Sequence, residues 1–130
     1  MILDSSSIVA ILLAEPEAED FAKAIESAAA CRISAASYVE SAIVIDSARD
    51  AIASRKFDDF FRASRIKIEP VTPHQAEIAR QAYRDFGKGR HKAGLNFGDC
   101  FAYALAKEMD EPLLYKGRDF AHTDVERTKI

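Results

Sequence analysis

Four carboxylates stand at places where local structure gives only part of the reason for them. Asp4 closes the apolar run MIL and opens DSSSIVAILLAE. Glu40 lies in SAASYVESAIV, Asp99 heads the apolar stretch FGDCFAYALA, and Asp119 lies in LLYKGRDF. Each has a commonplace reading. Asp4 can cap the helix that the serines begin, Asp99 is a first-turn acid favoured by the helix dipole, and Asp119 is a turn residue. Glu40 has Ala36, Ile43 and Val44 as helical neighbours. It is a helix-edge acid reaching water, or one paired with an arginine, or a carboxylate stripped of hydration. Converging carboxylates repel and raise one another's pKa values until a cation neutralises them. Oxygen-only ligands favour a hard ion, Mg²⁺ or Mn²⁺, and a Mg²⁺ ion that keeps several waters suits phosphate chemistry. Zinc is not indicated, since His74, His91 and His122 are scattered and neither HExxH nor CxxC occurs.

Convergence depends on the elements that carry these acids. Residues 1–4 read as a short buried strand, and 5–15 as a buried helix ended by Glu15 and Pro16. Residues 17–30 form an amphipathic helix, CRIS a second strand, and 35–50 a helix with Tyr38, Val39, Ala42, Ile43 and Ile45 on its apolar side. A helix over 54–64 carries Phe57, Phe60 and Phe61. IKIEPV alternates and contains Pro70, so it reads as a strand near an edge. Residues 73–86 begin with proline at a first-turn position, GKGRHKAG is a basic glycine-rich loop, and 95–108 form a helix. In that helix Phe97, Phe101 and Leu105 recur at helical spacing, Ala102 and Ala106 add to that face, and the face is expected to pack on the core. PLLY is the last strand. Strands alternating with helices predict an α/β fold on a mainly parallel sheet, with no repeat or linker, hence one domain over 1–130. Ligands of such sheets bind beyond the carboxyl ends of the strands. Asp4, Glu40 and Asp119 follow strands, and Asp99 begins a helix at the same rim.

The chain has 130 residues, 48% of them hydrophobic and 30% charged, a balance that predicts a globular domain rather than disorder. The net charge of −3 excludes a duplex-DNA binder that relies on a broad basic face, though not an enzyme acting on nucleic acid. Cys31 and Cys100 lie in apolar stretches and are read as reduced core residues of a cytoplasmic protein. The N-terminal run lacks a basic region and contains Asp4, so neither a signal peptide nor a membrane anchor is expected.

The pieces MILDSSSIVAILLAEPEAE, SAASYVE, HKAGLNFGDCFAYALAKE and PLLYKGRDFAHTD together resemble the PIN-domain ribonucleases, specifically the VapC-like toxins of type II toxin–antitoxin pairs. The resemblance spans essentially the whole chain. It implies a PIN-like α/β/α sandwich and an acidic centre of Asp4, Glu40, Asp99 and Asp119. Asp4 and Asp99 would be the direct Mg²⁺ ligands, Mn²⁺ an alternative ion, with Glu40 and Asp119 completing the pocket directly or through water. Ser6, Asn96 and Asp124 would support these groups. It further implies an endoribonuclease acting on transfer or ribosomal RNA by metal-activated water, leaving 5′-phosphate and 3′-hydroxyl ends. A cognate antitoxin would silence it, and many members of the family are homodimers.

Some segments keep two readings. Lys88, Arg90, His91 and Lys92 form either a solvated loop or a clamp on the RNA backbone. Arg118 stands where relatives often carry a small polar residue, and would touch the scissile phosphate or pair with Glu40. Phe57, Phe60 and Phe61 are core, or line a groove shared with the preceding helix that takes an antitoxin helix. The competing function is a catalytically inactive PIN-fold module that binds RNA or protein. Four intact acids argue against it. A phosphoacceptor receiver domain lacks the required third-strand Asp and later Lys.

Overall fold

The computed structural model describes all 130 residues. Four short strands, β1 (Ile2–Leu3), β2 (Arg32–Ser34), β3 (Lys67–Glu69) and β4 (Leu113–Leu114), form one sheet in the order β3-β2-β1-β4. Every pairing is parallel, with Ile2 opposite both Arg32 and Leu113. Six helices connect them: α1 (Ser5–Leu12), α2 (Ala18–Ser27), α3 (Ala35–Asp46), α4 (Ala51–Ala63), α5 (Pro73–Phe86) and α6 (Phe97–Met109). A short 3-10 turn follows at Phe120–His122.

Side chains alternate across a strand, and here both faces are covered. Ile2 and Leu113 point into one core with Ala79, Leu95, Ala102 and Tyr115. Leu3 and Leu114 point into the other with Ile8, Phe21, Ile33 and Phe57. This explains why β1 and β4 read as continuous apolar runs, as strands of doubly covered parallel sheets do. The expected α/β/α sandwich is the observed architecture. Cys31 and Cys100 are both free and buried. No helix is long and apolar enough to cross a membrane.

Two expectations need correction. α4 starts at Ala51, three residues earlier than the apolar pattern suggested, because Asp50 accepts hydrogen bonds from the Ile52 and Ala53 amides. On α6 the expected face is buried at Ala102, Leu105 and Ala106, joined by Ala104, but not at its start: Phe97 is 79% exposed. Small side chains let α6 lie close to both the sheet and α5, and the bulky Phe97 is left at its solvent end.

Candidate active site

β1 delivers Asp4 to the carboxyl edge of the sheet, where its side chain begins α1. The Ser6 amide donates to Oδ2 at 3.0 Å and the Ser6 hydroxyl at 2.5 Å, so the acid caps the helix. Ser6 Oγ also accepts from the Lys116 amide just beyond β4, which ties the ends of the two strands together at the site. The other oxygen, Asp4 Oδ1, is buried with no hydrogen-bond partner. Asp4 is only 2% exposed. Burial pushes its carboxyl up to about 7, the Ser6 bonds pull it back in part, and the charges of Asp99 and Glu40 add to the rise.

Asp99 arrives from α6. Three residues separate α6 from β4, so the helix runs back across the sheet and its first turn lies at the strands' carboxyl edge. Asn96 and Asp99 form a capping box: the Asn96 side chain accepts from the Asp99 amide, and Asp99 Oδ2 accepts from the Asn96 amide at 3.0 Å. That leaves Oδ1 free for other use. Burial pushes the Asp99 carboxyl up to about 6, against the Asn96 bond, and the charges of Glu40 and Asp119 raise it further.

Glu40 comes from α3, which starts directly after β2 with Ser34 as its cap. Its Oε1 accepts from the Ser5 hydroxyl at 2.5 Å. Its Oε2 lies against the bare Cα of Gly98, one residue before Asp99. Asp119 is exposed and sits at the N-terminal end of the 3-10 turn, within electrostatic range of Asp99. The topology thus gathers acids from four segments at one rim, with Asp4 innermost and Asp119 outermost. In this conformation no three of them close on a single point at ligating distance.

That arrangement still fits a hard divalent cation. Mg²⁺ is commonly held by one or two carboxylates, with waters and phosphate filling the other positions. Asp4 Oδ1 is a buried acceptor lacking any donor, beside two further carboxylates, and all available donors are oxygens. A cation there would relieve both the desolvation and the mutual repulsion.

Among the supporting residues, Ser6 and Asn96 bond directly to the acids. Asp124 bonds instead to Tyr103 at 2.6 Å and to Lys107 at 3.0 Å, strapping the C-terminal segment to later turns of α6. Arg118 is exposed and makes no ion pair with Glu40, whose partner is Ser5. The 87–95 loop closes on itself through a bridge between Gly87 and Leu95, and Lys88, Arg90 and Lys92 project into solvent. His91 is part of the loop's own scaffold: Nδ1 accepts from the Ala93 amide, and the ring meets Phe86 edge-on.

Phe57 is buried, and Phe60 and Phe61 are half-buried in a cluster with Tyr38. The apolar groove beside them opens between α2 and the end of α4, not between α4 and α3. Its volume is about 570 Å³, and Ala22, Ile25, Ala29, Phe60 and Ile66 line it.

Sequence reasoning passed over Ser5, Gly98 and Lys116. A serine after an acid reads as part of the cap. A helical glycine with ordinary backbone angles gives no sign of a neighbour approaching through space.

A family profile described as PIN domain matches residues 1–126. Over 128 residues the chain is 53% identical to Ribonuclease VapC28 of Mycobacterium tuberculosis, covering 98% of this chain and 96% of that protein. Its backbone is similar to that of M. tuberculosis VapC20, a Sarcin-Ricin loop cleaving toxin. The TM-score is 0.75 at 14% identity, over 99% of this chain and 98% of that one. A toxin–antitoxin complex from Klebsiella pneumoniae matches with a TM-score of 0.72 at 17% identity, over 98% and 95% of the two chains.

Proposed function

The chain belongs to the PIN-domain family, among the VapC ribonucleases, and from that premise we propose that it is a divalent-metal-dependent endoribonuclease toxin held in check by an antitoxin. Asp4 and Asp99 would hold Mg²⁺ or Mn²⁺, with Glu40 and Asp119 adding charge around it. The single observation that carries this reading is the buried, unpartnered Oδ1 of Asp4 among other carboxylates. Ionising such an acid inside the fold carries an effective cost of several kcal/mol, which a bound cation would offset.

When bound, the ion supplies Lewis-acid neutralisation of phosphate charge and a source of nucleophile at neutral pH. The protein's part is preorganisation. Ser6 engages Oδ2 of Asp4 and the Asn96 cap engages Oδ2 of Asp99, so each acid has one oxygen to offer in a fixed direction. Lys88, Arg90 and Lys92 supply local positive charge for an RNA backbone that the net charge would otherwise repel. Arg118, exposed one residue from Asp119, is placed to meet a phosphate at the rim. The substrate class is structured RNA of the transfer or ribosomal kind. The groove between α2 and α4 suits an apolar helix of the antitoxin. Val39, Ile43 and Val44, exposed together on α3, give a homodimer its apolar surface.

The test is the chemistry of the product ends. Labelled structured RNA incubated with the partner-free chain should be cut with Mg²⁺ or Mn²⁺ and left intact with EDTA, giving 5′-phosphate and 3′-hydroxyl ends. Cyclic phosphate ends would sink the mechanism. Binding without cutting would favour the inactive-module reading.

A further inference from the structure

Glu40 reaches the acid pocket from a different helix than Asp4 or Asp99, and two neighbours fix where its carboxylate goes. The Ser5 hydroxyl, at the first residue of α1, donates to Oε1 at 2.5 Å. On the opposite side the carboxylate rests on Gly98. A methyl group built there would lie 1.8 Å from Oε2 and 2.6 Å from the carboxyl carbon. No real Cβ tolerates such an approach, so any larger residue at 98 must push Glu40 aside. The backbone of Gly98 does not itself require glycine: its φ is not positive, and it occupies the second position of a regular helix, where alanine is the better helix former. Glycine at 98 is therefore accounted for by Glu40 rather than by α6.

We propose that Ser5 and Gly98 are positioning residues for Glu40, one holding its carboxylate by a hydrogen bond and the other leaving the space in which it lies beside Asp99. This rests on the metal-nuclease reading above and adds to it how the third acid is aimed. α3 packs on both α1 and α6, and its Glu40 carboxylate touches the first residue of one and the first turn of the other, beside the residues that carry Asp4 and Asp99. If the contacts served only to join helices, Ser5→Ala would lose stability and Gly98→Ala would leave the site untouched. The positioning role makes a different forecast. Gly98→Ala should keep or raise the melting temperature while weakening the site.

The experiment measures Mn²⁺ affinity by EPR of the free ion, kcat and KM for RNA cleavage, and melting temperature, for the full chain and five variants. Ser5→Ala and Gly98→Ala should each lower Mn²⁺ affinity or kcat by about tenfold or more, the usual scale for groups that orient ligands. KM should change little. Ser5→Thr, which keeps the hydroxyl, should restore most of the loss. In Glu40→Ala the site is already without its third acid, so adding Gly98→Ala in the double variant should cost nothing more. Native Mn²⁺ affinity and kcat in Gly98→Ala, or a full further loss in the double variant, would overturn the positioning role while leaving the nuclease reading intact. A native chain that neither binds Mn²⁺ nor cuts RNA would overturn the nuclease reading itself, and this inference with it.

Discussion

Replacing Asp4 by asparagine should stabilise the metal-free protein at alkaline pH while removing its activity. The Asp4 carboxyl is pushed up to about 7 from an ordinary 3.8. At about 1.4 kcal/mol per pH unit, ionising it inside the fold costs about 4 kcal/mol. Asparagine carries no charge to bury, but its amide would stand where Oδ1 has no partner, and a stranded donor costs about 1–3 kcal/mol. The net gain for Asp4→Asn at about pH 8 is then about 1–3 kcal/mol. The sign follows from proton binding. Between about pH 4 and about pH 7 the folded chain holds a proton that the unfolded chain has released, so the native protein loses stability as pH rises through that window. Below it, Asp4 is protonated in both states and the advantage of asparagine disappears. Urea unfolding in EDTA, at several pH values across this range, measures both effects. An asparagine variant less stable than the native chain at about pH 8, or native stability that does not fall between about pH 4 and 7, would refute the reasoning.

The same energetics predict that Mg²⁺ or Mn²⁺ stabilises the native chain at about pH 8, by about 2.7 kcal/mol at a hundredfold excess over Kd, and leaves Asp4→Asn unmoved in thermal melts. Neutralising Lys88, Arg90 and Lys92 together should weaken RNA binding and reduce the slope of log affinity on log salt by about 2, roughly 0.7 per lost phosphate contact, with Mn²⁺ affinity unchanged. Ala29→Glu places a charge in the exposed wall of the α2–α4 groove. It should abolish capture of the cognate antitoxin in a pull-down while RNA cleavage by the free chain stays at the native rate. Tyr103→Phe removes the bond to Asp124 and should cost about 1 kcal/mol in urea unfolding, with kcat unaltered, because that bond straps the C-terminal segment rather than aiming an acid.

The layered architecture was readable because its signals are local: apolar runs for strands covered on both faces, helical periodicity for the amphipathic helices, and a proline opening α5. The acids were readable as candidates because strand ends and helix starts share one rim in a parallel sheet. Other features depend on contacts between distant segments, which spacing does not report. Phe97 continues an apolar stripe in sequence, yet it stands at the first residue of α6 and is 79% exposed. Asp124 lies near Asp119 along the chain but turns towards Tyr103 and Lys107. The groove beside Phe60 depends on how α2 meets the end of α4. Ser5 and Gly98 acquire meaning only when Glu40 is brought between them.

Asp99→Asn tests most directly whether the four-segment acid pocket is a metal-dependent phosphodiesterase. The substitution keeps a capping side chain at the head of α6 and removes one carboxylate from the pocket. Native chain and variant, each purified free of partner and shown to be folded, would be given the same labelled RNA with Mn²⁺ and with EDTA. Cleavage by the native chain only with metal, and none by the folded variant, is the predicted result. Equal cleavage by both, or cleavage that survives EDTA, would contradict the account.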